Sequence, residues 1–265
     1  MNLKEQVNKS GFPLQLAIAN EVKRNQSNWN VLYEEHLWVN DTTSGFIDLV
    51  LEDKNRTWLM NIECKRVQDS TWVFIVDRDN QKKNNIDKLW FTHRDFDNVI
   101  SLFDWKDVQM SPECHESHFC IVPGQDSKAM PMLERIAASV IQSTEALAKD
   151  EADNIHHSYT GLRMYQNLIV TTAELQICKT SVDCIDITTG KLENEPEFTV
   201  VPYIRFRKQL GATVSNPLEA RDGTAINKMN SQRESTVFIV NSAYLSDFLK
   251  KCKLSNASVN EVVFN

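Results

Sequence analysis

The spacing of apolar residues near the start of the chain predicts one helix followed by an antiparallel meander. Phe12-Pro13 opens the helix, because the fixed φ and missing N–H of proline suit a first helical turn. Leu14, Ala17, Ile18 and Val22 then repeat at helical spacing. Glu21 falls on that stripe, and a carboxylate facing an interior asks for a reason. A strand over 30–39 leads to the turn-forming run Asp41-Thr42-Thr43-Ser44-Gly45. Beyond it the period becomes two: Ile47, Leu49 and Leu51 point one way, Phe46, Asp48 and Val50 the other. After a polar loop over 52–56, Trp58, Met60, Ile62 and Cys64 share one face of a second strand, and Leu59, Asn61, Glu63 and Lys65 the opposite one.

Further along, residues 72–76 read as a strand, while 91–105 fits either irregular structure or a short helix. Phe119 to Val122 is a short strand, and 132–150 is the longest helix, with Leu133, Ile136, Ala137, Val140, Ile141 and Leu147 on its buried side. A loop over 151–160 carries His156-His157, for which a packing role outweighs a catalytic one. Strands are predicted over 167–172, 174–179, 200–206 and 236–241, a long polar loop over 210–234, and a last helix over 243–251. This order predicts an α/β protein with a mixed central β-sheet flanked by helices. Residues 1–155 are expected to form its core, and 156–265 a β-rich extension completing or packing on the core sheet.

Composition narrows the classes. The 265 residues are 42% hydrophobic and 25% charged with few glycines and prolines, as in an ordinary globular chain. No apolar run reaches the roughly 18 residues of a membrane span, and the first residues lack the apolar segment of a secretory signal, so a cytoplasmic location without membrane partners is expected. Six cysteines over this length fit reduced thiols. Cys114, His115, His118 and Cys120 lie close together, but structural zinc sites draw on two separated ligand pairs, which favours ordinary burial.

The chemistry lies in the hairpin. If it turns near Lys54 and Asn55, Asp48 falls opposite Asn61, with Glu63 and Lys65 following on the same face. Two adjacent carboxylates each raise the cost of ionising the other, and a divalent cation with oxygen preference removes that cost. The backbone carbonyl of Cys64 offers another oxygen, and Lys65 would sit beside a metal-bound water.

Glu21 on an early helix, Ile47-Asp48 on one strand and Glu63-Cys64-Lys65 on the next resemble the PD-(D/E)XK nuclease superfamily over about the first 80 residues. The resemblance implies a restriction-endonuclease-like core that binds Mg²⁺, or Mn²⁺ as a substitute, through Asp48, Glu63, Glu21 and the Cys64 carbonyl. It implies catalysis by Asp48, Glu63, Lys65 and Glu21 on the phosphodiester bonds of DNA, in bacterial restriction or anti-phage defence. Ile47 stands where the motif has proline. A net charge of −7 is awkward for a nucleic-acid binder and suggests a partner subunit or homodimer. Lys82, Lys83, Arg205, Arg207 and Lys208 are candidates for phosphate contacts or for a solvated charged face. The alternatives are a catalytically silent nuclease-like module serving protein assembly, and an RNase using the same centre.

Overall fold

The computed structural model describes residues 2–25, 28–40, 43–68, 70–78, 84–94, 100–125, 131–154, 162–210 and 234–255. Two helices come first, α1 (Leu3–Lys9) and α2 (Phe12–Arg24). The meander β1 (Trp29–Val39), β2 (Ser44–Asp53) and β3 (Trp58–Lys65) follows, close to the predicted bounds. Next are β4 (Thr71–Asp77), β5 (Asn84–Arg94), β6 (Ile100–Cys114), β7 (Glu116–Ser117) and β8 (Cys120–Ile121). Helix α3 (Met132–Asn154) precedes β9 (Leu162–Thr171), β10 (Glu174–Thr180), β11 (Ile185–Asp186), β12 (Lys191–Leu192), β13 (Glu197–Val200) and β14 (Tyr203–Gln209). The described chain closes with β15 (Glu234–Asn241), α4 (Leu245–Lys251) and β16 (Lys253–Leu254).

The result is a mixed α/β structure. Its large sheet runs β1-β2-β3-β9-β15-β14-β7, with β5 bridging β9 to β6 and β16 pairing with β6. Strand β9 lies parallel to β3 on one side and to β15 on the other, so both halves of the chain share this sheet. A smaller sheet, β13-β10-β4-β8, continues the same theme, because β10 runs parallel to β4 as β9 does to β3. The two sheets therefore part just beyond Lys65, where Thr172 N–H donates to the Lys65 carbonyl.

Each face of the large sheet is covered. Leu49, Leu51, Met60 and Ile62 pack with Ile18 and Val22 of α2 and with Phe248 of α4. On the opposite face Val50, Leu59 and Tyr165 meet Ala146 and Leu147 of α3, and Ile169 meets Leu133 and Val140. β9 is buried along its whole length and β15 along all but its two ends, with the apolar runs Leu168-Ile169-Val170 and Val237-Phe238-Ile239-Val240 at their centres, as strands covered on both faces require.

Several expectations change. Residues 91–94 and 100–105 belong to β5 and β6, where pairing between the strands overrides a weak local pattern. Helix α3 continues to Asn154, because Glu151 is buried by Arg163, which holds it at 2.7 and 3.0 Å. The predicted strand over 200–206 is broken at Val201-Pro202 and feeds two different sheets. Ala17 is exposed and Ala19 buried, so the stripe of α2 is Leu14, Gln15, Ile18, Ala19 and Val22. The predicted loop over 210–234, apart from its two end residues, and His156-His157 lie outside the described residues.

Arg163 also reaches Glu52 and the carbonyl of Arg56, tying the β2–β3 turn to α3, and Tyr165 donates to Glu151. Removing one partner leaves a buried charge uncompensated. Arg163→Met is expected to cost about 3–5 kcal/mol in urea denaturation, and the double variant Arg163→Met/Glu151→Leu is expected to recover a large part of it.

Candidate active site

The β2–β3 ladder pairs Glu52↔Leu59, Val50↔Asn61 and Leu49↔Ile62, then stops. Continuing that register places Asp48 opposite Glu63 rather than Asn61, a slip of two residues from the expected pairing. Side chains alternate with period two, so a shift of two leaves both carboxylates at the same edge of the hairpin. Asp48 itself ends the ladder. Its Oδ2 accepts the Cys64 N–H at 2.7 Å, and its backbone carbonyl accepts Nε2 of Gln15 at 2.9 Å.

Alternation breaks at this point, contrary to the sequence reading. Leu49 packs on the α2 side, whereas Ile47 joins Trp38 and Leu59 in the cluster on the α3 side. Opposite it β1 keeps its register, Glu34 with Leu49 and His36 with Ile47, but Glu35 between them has φ 54°. That left-handed conformation costs a non-glycine residue roughly 1–2 kcal/mol.

The break gathers charge. Burial raises the Asp48 carboxyl above its ordinary range, with the Cys64 N–H and Lys65 pulling against it and Glu35 adding to it. Glu63 is pushed up to about 7, first by burial and then by the negative charge of Asp48, with Lys65 opposing. Buried Cys64 has its thiol pushed far up, which excludes a thiolate, so its contribution is the backbone between Glu63 and Lys65. Asp48, Glu63 and Lys65 thus act on one another as one electrostatic unit at the end of β3.

Glu21 does not join them. It is exposed at the margin of the α2 stripe, where Ser246 donates to it at 2.8 Å and Asn25 at 2.6 Å, holding its carboxyl below the usual range. Gln15 is the residue of α2 that reaches the site, and Glu35 is the additional carboxylate. Both left a trace in the sequence. Gln15 interrupts an apolar stripe, and a turn at the Asp41–Gly45 run brings Glu35 across from Asp48.

The cations proposed for phosphate contacts are engaged inside the protein. Arg205 is fully buried over the Phe238 ring, donating to the carbonyls of Asn84 and Met110. Arg207 pairs with Glu234 at 2.8 Å and Asp107 at 3.2 Å, and Lys208 pairs with Glu134. Lys82 and Lys83 lie outside the described residues. Of the Cys/His cluster, Cys114 is buried against Arg205, and the His118 ring lies edge-on to Phe119. Among the described residues no three of His, Cys, Asp and Glu are gathered as a ready metal cage. Asp48 and Glu63 suit a cation that takes one or two carboxylates and keeps its waters.

The folded state holds the Glu63 proton more tightly than the unfolded chain does, so this contribution to stability is complete below about 4.5 and lost as pH rises through about 7. In metal-free buffer, urea melts should show stability falling across that window. Glu63→Gln should flatten the fall and leave the variant the more stable by roughly 1–3 kcal/mol at pH 8. Comparison of the chain with family models, with curated proteins and with solved structures gave no match.

Proposed function

We propose that the chain is a metal-dependent nuclease of the PD-(D/E)XK kind, hydrolysing phosphodiester bonds in DNA. The observation that carries this reading is the opposition of Asp48 and Glu63 at the broken end of the β2–β3 ladder, with Lys65 two residues on. The helix, antiparallel meander and Glu-X-Lys strand follow one another in the order that the resemblance implies, and a parallel neighbour, β9, holds β3 in place.

Two half-buried carboxylates that oppose each other's ionisation fit a hard divalent cation such as Mg²⁺. When bound there, such an ion supplies an activated water and draws charge from the phosphoryl oxygens. The protein supplies the rest. The Cys64 N–H fixes Oδ2 of Asp48 and so orients its carboxylate. Glu63 contributes a second carboxylate, and Lys65 brings a cation to orient the attacking water and stabilise the charge that develops on phosphate. Gln15 pins the backbone beneath Asp48, so the geometry does not depend on Glu21.

A second reading, a nuclease-like module kept for protein assembly, is favoured by the exposed apolar side chains of Val182, Ile187, Phe198 and Val200 along an acidic segment.

Plasmid cleavage in Mg²⁺ decides between them. Wild type is expected to cut, and Lys65→Ala to cut about 10²–10⁴-fold more slowly. Undiminished cutting by Lys65→Ala sinks the mechanism, and an inert wild type on duplex DNA, single-stranded DNA and RNA favours the module. Independently of turnover, Mg²⁺ at pH 8 should raise the melting temperature of the wild type and leave that of Glu63→Gln nearly unchanged.

A further inference from the structure

Next to the carboxylate cluster the β1–β2 hairpin carries three large apolar side chains in solvent, Val39 near its turn and the pair Leu37 and Phe46. Phe46 is 59% exposed and its cross-strand partner Leu37 is 56% exposed. Phe46 lies two residues from Asp48, about 6–7 Å along an extended strand. The residues between and behind them are buried: Ile47 and Trp38 pack into the cluster with Leu59 and Tyr165. Gly45 makes that packing possible, since a Cβ there would meet the Trp38 indole at 3.0–3.3 Å. The Trp38 ring thus anchors the hairpin from the side opposite Phe46, and the exposed ring is held in a fixed place rather than left on a loose loop.

We propose that Phe46, backed by Leu37, is a stacking platform for an unpaired nucleobase of the strand cut at the Asp48–Glu63–Lys65 site. The proposal rests on the nuclease reading. Continuity with that site identifies the occupant, because a strand whose phosphate reaches Asp48 presents a neighbouring base at the distance of Phe46. The charge balance points the same way. With a net charge of −7, and with the candidate cations Arg205, Arg207 and Lys208 engaged internally, a grip on phosphates cannot draw on those three, whereas stacking needs no cation. A base can lie on a side chain only when it is unpaired, so the substrate class is single-stranded or locally melted nucleic acid.

Fluorescence anisotropy with a labelled oligothymidylate, the matching oligouridylate and a duplex of equal length tests this, in Mg²⁺ and with Lys65→Ala as the background to slow turnover. Single strands should bind more tightly than duplex, and Phe46→Ala should weaken single-strand binding by about 5- to 100-fold with little change for duplex. Phe46→Tyr should bind as the parent does, and Phe46→Leu should resemble Phe46→Ala. Phe46 is exposed, so circular dichroism and melting temperature should be unchanged in all three. Equal single-strand binding by Phe46→Ala overturns the proposal, as does a preference for duplex, failure to bind any of the probes, or self-association through this face in their place. The ratio of the two single-stranded probes assigns DNA or RNA. If Phe46-dependent binding occurs but the wild type cuts nothing, the nuclease reading fails and the stacking platform stands. Cleavage with affinity indifferent to Phe46 has the reverse meaning.

Discussion

One carboxylate takes the place of a backbone carbonyl, and the rest of the site depends on it. Where the β2–β3 ladder would continue beyond Leu49↔Ile62, the Cys64 N–H goes to the side chain of Asp48. The main-chain carbonyl of Asp48, released from the ladder, turns to Gln15. The exchange gives the Cys64 N–H and the Asp48 carbonyl a partner each, which lets the strand leave its regular course there. β2 then changes the face it presents, so Ile47 and Leu49 serve opposite cores, and β1 follows with a left-handed residue at Glu35. The strained residue and the broken ladder are one distortion seen on two strands.

That distortion sits where two parallel strands, β3 and β9, end together and the chain passes to the smaller sheet. Strand ends at such a division are where an α/β sheet leaves room for a ligand. Here the division carries Asp48, Glu63 and Glu35. Burial raises the carboxyls of Asp48 and Glu63, with Glu35 adding to both and Asp48 to Glu63, and Lys65 offsets only part of that cost. In the interior pairs, by contrast, each cation has a partner within hydrogen-bond distance. Arg163 pairs with Glu151 inside the core, and Arg205 donates to the carbonyls of Asn84 and Met110, so both hold elements together. The same residue types therefore serve two purposes, decided by whether a fixed partner is present.

The meander, the α2 helix and the grouping of Asp48, Glu63 and Lys65 were legible in the sequence, because they follow from local periodicity and from a hairpin of short loop. The expected register was two residues out, yet the grouping survived, since a slip of two preserves the face. Glu21 was misplaced for a related reason. At the edge of a helical stripe a few tens of degrees separate inside from outside, and a single sequence does not resolve them. Residues 91–105 gave no clear period because β5 and β6 are held by each other and by β9, partners far away in the chain.

Local physics thus determined by itself which residues share a hairpin edge, since side-chain alternation is a property of every extended chain. Only the tertiary structure decided what that edge became. The loss of Glu21 to Ser246, the arrival of Gln15 and Glu35, and the burial that raises Glu63 all come from contacts between elements distant in sequence. Such contacts form when α2, α4 and β9 pack on the hairpin, and the pattern of any one segment carries at most a trace of them.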